Sequence, residues 1–202
     1  MGDKRGAASA AVASWAPLSR SGLMSNSPEI SKNDATPASS NEWLPTRPGT
    51  WESHHAITGL MYLYTERIDA GDFAGLGAIF ADAAITAEGT DIEVSGAEAV
   101  ADYYRSMNVV HPDGTLRTRH MAVNVITDID EDAGTATARS GFVVLQQTPA
   151  LPLQPIVTGR YRDRFTRVDG VWQFTQRHMM VDHVGDVSEH LSFDLAAFIE
   201  GA

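Results

Sequence analysis

The chain of 202 residues has no cysteine. That excludes disulfides, thiolate nucleophiles and thiolate-bound zinc. Lysine is nearly absent too: Lys4 and Lys32 are the two, and from position 50 onward every Lys/Arg position is an arginine. Acidic residues outnumber Lys and Arg 26 to 15, for a net charge of −11. An acidic chain without a basic stripe is a poor cradle for a phosphate backbone, which argues against nucleic acid as a partner. No apolar run approaches the ~18 residues of a membrane span. Residues 7–18 follow Lys4-Arg5 and mimic a leader weakly, but Ser, Trp and Pro interrupt them. Gly2 has no Ser or Thr at position 6, so myristoylation is not indicated. A cytoplasmic location is expected, with Met24 an alternative start. The histidines show no recognised ligand spacing, so neither a metal nor a cofactor is expected.

Residues 1–48 are rich in Ser, Ala, Asn and Pro and poor in large apolar side chains. Such a stretch buries too little surface to offset its ordering entropy and is expected to be a disordered tail. Residues 49–202 are expected to form one domain of ordinary size.

From Trp51 the pattern becomes periodic. Ile57, Leu60, Met61, Tyr64 and Ile68 form one apolar stripe, which predicts a helix from Trp51 to Asp69. Ala70-Gly71 ends it, and Asp72 caps a second helix over 73–80. A short strand over 84–87 precedes a turn at 88–91, and Ser95 is the expected cap of a third helix running to Met107. Alternation then predicts strands over 119–129, 135–147, 157–168 and 171–182, with a Pro-broken loop at 148–155. Asp169-Gly170 is a strong two-residue hairpin signal. A closing helix is expected over 188–199. Helices followed by antiparallel strands make an α+β plan: three N-terminal helices packed on a curved, mostly antiparallel sheet in a cone-shaped barrel.

Strand parity suggests which side chains meet. His120, Ala122, Asn124 and Ile126 share one face; Met121, Val123 and Val125 share the other. Tyr161, Asp163 and Phe165 alternate with Arg162 and Arg164. If Asp163 points inward it needs a partner, and Arg139 on the neighbouring strand is the candidate. By the same parity His178 and Asp182 join Trp172, Phe174 and Met180 as pocket liners. Each residue also has a plainer reading. His120 can be a satisfied strand histidine, Asp69 a turn cap, Tyr64 a core residue, Glu88 a solvated charge and Asp163 part of a surface charge ladder.

Four segments carry a resemblance. Tyr64-Thr-Glu-Arg-Ile-Asp-Ala-Gly-Asp-Phe, Leu116-Arg-Thr-Arg-His120, Gly159-Arg-Tyr-Arg-Asp163 and Asp169-Gly-Val-Trp-Gln-Phe resemble SnoaL-like proteins of the nuclear transport factor 2-like superfamily. The resemblance covers about residues 52–190 and implies the cone fold. It also implies two catalytic patterns. In the scytalone dehydratase and dehydrochlorinase type, a carboxylate at the end of the first helix orients a strand histidine that removes a proton; Asp69 and His120 hold those positions. The dehydratase's second histidine, expected on the following strand, has no counterpart near Arg139-Ser-Gly141. In the ketosteroid isomerase type, Tyr64 and Asp163 fall on the oxyanion-binding positions and Glu88 on the base.

The chemistry suits the first pattern. An imidazole titrates near neutral pH, and a carboxylate on its Nδ1–H fixes the tautomer and stabilises the cation. The leading expectation is a cofactor-independent lyase or isomerase acting on a small apolar organic molecule. Asp69 and His120 are its catalytic pair, and Tyr64, Arg139, Asp163 and His178 its polar contacts. The alternative is a binding or assembly module of the same fold, resembling the small subunits of ring-hydroxylating oxygenases. A homo-oligomer, dimer or trimer, is expected in either case.

Overall fold

The structure, a computed structural model, describes residues 45–193. Three helices lie before the four long strands: α1 (Trp51–Asp69), α2 (Phe73–Ile79) and α3 (Ala97–Met107). The strands are β1 (Ala84–Ala87), β2 (Glu93–Ser95), β3 (Thr118–Asp130), β4 (Thr135–Gln146), β5 (Gln154–Val168) and β6 (Val171–Val184). They form one six-stranded sheet in the order β2-β1-β6-β5-β4-β3. All pairings are antiparallel except β1 with β6. The two edge strands, β2 and β3, do not pair, so the cone stays open.

Helix α1 begins where the Thr50 side chain accepts from the Ser53 backbone N–H, a local N-cap. Its stripe is buried as the periodicity predicts: Ile57, Met61, Tyr64 and Ile68 all lie in the core, and Leu60 packs against it. Gly71 ends the helix with φ +69°, and a Cβ there would meet the Gly114 carbonyl oxygen at 2.5 Å. Only glycine fits that close approach. Just beyond, the Leu116 N–H bonds the Asp69 carbonyl at 3.2 Å, tying the end of α1 to the start of β3.

Several local expectations are corrected. Gly96, not Ser95, is the N-cap of α3, and no side chain caps it. Ser95 instead closes β2, a strand that the sequence reading lacked. Strand β5 starts earlier than expected and takes in Pro155 beside a register shift. Of the closing helix expected over 188–199, residues 188–190 form a turn and Leu191 bridges to Asn108. The rest of that expectation lies outside the described residues. The Asp169-Gly170 hairpin forms as expected, with φ of 50° and 82°, the positive values a tight primed turn requires.

Two of the sheet's four register shifts set the facing of the candidate residues on β3 and β6. On β3 the register slips between Val123 and Ile126, where Asn124 has φ 54°. On β6 Thr175 is left unpaired between Phe174, opposite Phe165, and Gln176, opposite Arg164. An extra residue in one strand reverses the facing of everything beyond it.

The N-terminal arm closes the edge at β3. The Ile129 N–H bonds the Arg47 carbonyl at 2.7 Å. The Arg47 guanidinium reaches Asp128 and Asp130, and Thr46 donates to Asp128. Such cover blunts an edge that would otherwise offer free backbone groups.

Candidate active site

Asp69 and His120 meet. The last residue of α1 and the third residue of β3 face each other because the Leu116–Asp69 backbone bond aligns the two elements. His120 Nδ1 lies 2.6 Å from Asp69 Oδ1. The same carboxylate accepts from the His120 backbone N–H at 3.0–3.1 Å and from the Thr118 hydroxyl at 2.7 Å. With three donors on it, the carboxylate has one orientation. A carboxylate only accepts, so Nδ1 carries the hydrogen and Nε2 holds the lone pair of the neutral ring. Both residues are buried, at 9% and 7% exposure.

A second histidine stands beside the first. The His190 ring lies edge-on to His120, with centroids 5.7 Å apart. His190 is buried, its Nδ1 has no hydrogen-bond partner, and burial reinforced by the neighbouring His120 lowers its pKa to about 3. Sequence reasoning passed over His190, which reaches His120 on the segment after β6. Gln146 is another omission. Its Nε2 donates to the Leu116 and Glu189 carbonyls, and its buried Oε1 has no partner.

The remaining predicted contacts do not join this pair. Asp163 does point inward, but its partner is Arg177, not Arg139. The guanidinium meets both carboxylate oxygens, at 2.9 and 2.7 Å, with both side chains sealed from solvent. The Thr175 bulge is the reason, since it turns Arg177 inward and His178 outward. Arg177 lies 4.2 Å from the ring centres of both Tyr64 and Tyr161, a cation–π sandwich. Burial opposes its charge, but Asp163 outweighs burial and its pKa is raised. Burial also pushes the Tyr104 and Tyr161 hydroxyls well above the usual tyrosine value. The Tyr64 hydroxyl is taken up by that of Tyr104, at 3.0 Å.

Arg139 and His178 instead lie on the outward face of the sheet. Arg139, Arg162 and His178 stand directly opposite one another across β4, β5 and β6. His178 Nδ1 is within 2.8 Å of the Thr86 hydroxyl. Asp182 forms an exposed ion pair with Arg160. Trp172 and Phe174 remain inside, on the other side of the bulge from His178 and Met180. The β3 bulge likewise takes Asn124 and Ile126 off the His120 face. Glu88 is exposed, so it does not converge with Tyr64 and Asp163 as the isomerase pattern requires.

A groove of about 570 Å³ runs over this outward face, lined in part by Arg139, Arg162, Arg164, His178, Ile126 and the Pro45-Thr46 arm. Neither Asp69 nor His120 lines it. This hollow therefore lies away from the Asp69–His120 pair. Among the described residues, no group of three or more His, Asp or Glu could hold a metal ion, and no helix is long and apolar enough to cross a membrane.

Three helices on an open, curved, mostly antiparallel sheet make the cystatin-like fold seen in solved structures of 19% and 21% identity. Residues 49–178 match the SnoaL-like domain, and the chain belongs to that family. A Mycobacterium tuberculosis protein of unknown function is similar at 27% identity and a TM-score of 0.56, over 73% of this chain and 80% of that one. A candidate scytalone dehydratase of Novosphingobium aromaticivorans shares 24% identity at a TM-score of 0.53, over 67% and 87%. The beta subunit of a candidate aromatic-ring-hydroxylating dioxygenase from the same organism shares 17% at 0.54, over 66% and 92%. No curated protein matches the chain.

Proposed function

We propose that this protein is a cofactor-independent lyase or isomerase that removes a proton from a small apolar organic molecule. His120 Nε2 is the base. Asp69 holds the ring and stabilises the imidazolium that forms. The single observation carrying this reading is the 2.6 Å contact between His120 Nδ1 and a carboxylate already fixed by Thr118 and by the His120 backbone. A pair that only terminated a helix would not need the imidazole. The reading is also in keeping with the structural likeness to a candidate scytalone dehydratase, which as a likeness speaks for fold alone.

The experiment uses nitrobenzisoxazole, an apolar heteroaromatic whose ring opens when a base takes its one acidic C–H. Native protein turns it over, and His120→Ala loses at least ~100-fold, the scale of general-base catalysis. Turnover by the folded variant equal to the native rate rejects the reading.

A second reading has an observation of its own. The pair is almost closed to solvent, which suits a binding or assembly module with no chemistry. Met121 and Ile126 are large apolar side chains exposed on the outward sheet face, which supports a homo-oligomer. Sedimentation of the native protein against Ile126→Lys measures that association directly.

A further inference from the structure

The buried polar atoms that lack a partner include two at the same end of the cone as the Asp–His pair. They are His190 Nδ1 and Gln146 Oε1. Gln146 stands opposite Thr118 in the sheet, and its amide nitrogen is already committed to two backbone carbonyls. The His190 ring rests against His120. Buried polar groups are normally paired, and an orphan is costly unless something else supplies its partner. Nor is the segment carrying His190 loose cover. The Val109 N–H bonds the His190 carbonyl at 2.8 Å, the Ser192 N–H bonds the Met107 carbonyl at 2.9 Å, and Gln146 holds the Glu189 carbonyl. His190 also lies beyond the residues 49–178 that match the family.

We propose that His190 is a second catalytic residue: its ring N–H donates a hydrogen bond to the substrate oxygen on which charge collects when His120 removes a proton. The inference rests on the proton-removal reading above and narrows the substrate class to molecules with an oxygen at the reacting end. His120 Nε2 takes the proton from carbon. The C–H electron pair becomes a new π bond, and the bond from the neighbouring atom to oxygen breaks with its pair going to oxygen. His190 stabilises that oxygen, which then recovers the proton from His120. Being neutral, His190 can donate without bringing a second positive charge beside the imidazolium.

The test measures nitrobenzisoxazole turnover, in which the departing oxygen becomes a phenolate, for native protein, His190→Phe, His190→Asn and His120→Ala. Phe keeps the ring's bulk and removes the donor. The expected result is a kcat about 100-fold lower for His190→Phe at unchanged KM, the scale of losing one donor to a developing oxyanion. Partial recovery is expected in His190→Asn. Nitrogen NMR of His120 in His190→Phe should still show its hydrogen on Nδ1, which establishes that the Asp69 contact survives. Turnover in folded His190→Phe equal to native, with His120→Ala inactive, overturns the role of His190 and leaves the base intact. Turnover unaffected in His120→Ala overturns the base and this inference with it.

Discussion

Arg177 and Asp163 form a two-point ion pair that is fully sealed from solvent, with the guanidinium sandwiched between Tyr64 and Tyr161. Taking one partner away leaves a buried charge uncompensated, at a cost of about 3–5 kcal/mol. Asp163→Ala should lower stability in urea by that amount. Replacing the pair together, Asp163→Leu with Arg177→Met, should recover most of the loss, because two apolar side chains need no desolvation. A double variant no more stable than Asp163→Ala would show that the pair contributes more than its mutual neutralisation.

Tyr64 separates the two catalytic patterns that the family resemblance suggests. Its hydroxyl is spent on Tyr104, and its ring covers Arg177. Tyr64→Phe should cost about 1 kcal/mol of stability, the net worth of one buried hydrogen bond. It should slow nitrobenzisoxazole turnover far less than His120→Ala does. A larger kinetic loss in Tyr64→Phe would favour an oxyanion-binding tyrosine instead.

His190 predicts how stability depends on pH. Its folded pKa of about 3 lies below the free value of 6.5, so between these limits the unfolded chain binds the extra proton. Stability is therefore intact above pH 6.5 and falls as the pH drops through that window, by about 1.4 kcal/mol per pH unit at most. Glu131 and Asp113, held near pKa 2 mainly by backbone hydrogen bonds from Thr50 and Thr115, act in the same direction but only under more acid conditions. Urea titrations between pH 6.5 and 5 should show a slope that His190→Phe removes. An unchanged slope in that variant would contradict the burial of a neutral imidazole.

The bulge at Asn124 aims His120 and the second half of β3 into the cone on opposite parities. Asn tolerates the φ of 54° found there, and a β-branched residue does not. Asn124→Val should lose about 1–2 kcal/mol, while Asn124→Gly should hold stability close to native. Thermal unfolding of the two variants, read together, measures that difference.

The same bulges explain what was legible in the sequence. Periodicity placed α1 and its buried stripe, and the turn chemistry of Asp169-Gly170 placed the last hairpin. The resemblance paired Asp69 with His120, which lie fifty-one positions apart. On β3 and β6 parity was reliable only as far as the bulges at Asn124 and Thr175. No turn residue marks Thr175, so Arg177 was passed over while His178 was assigned inward; Arg139 was matched with Asp163 although the register sets it opposite Arg162. His190 was hidden for another reason. It sits in a segment without strand or helix period, and its neighbour in space is set by how residues 185–193 fold back across the end of the cone.

The most direct test of the central claim is the pH profile of nitrobenzisoxazole opening by native protein and by His120→Ala. The account predicts that the native rate rises with pH as one group loses its proton and then levels off. Asp69→Asn should lower the plateau, and His120→Ala should show neither rise nor plateau above the rate in buffer. A His120→Ala profile that superimposes on the native one, in protein shown to be folded, would contradict it.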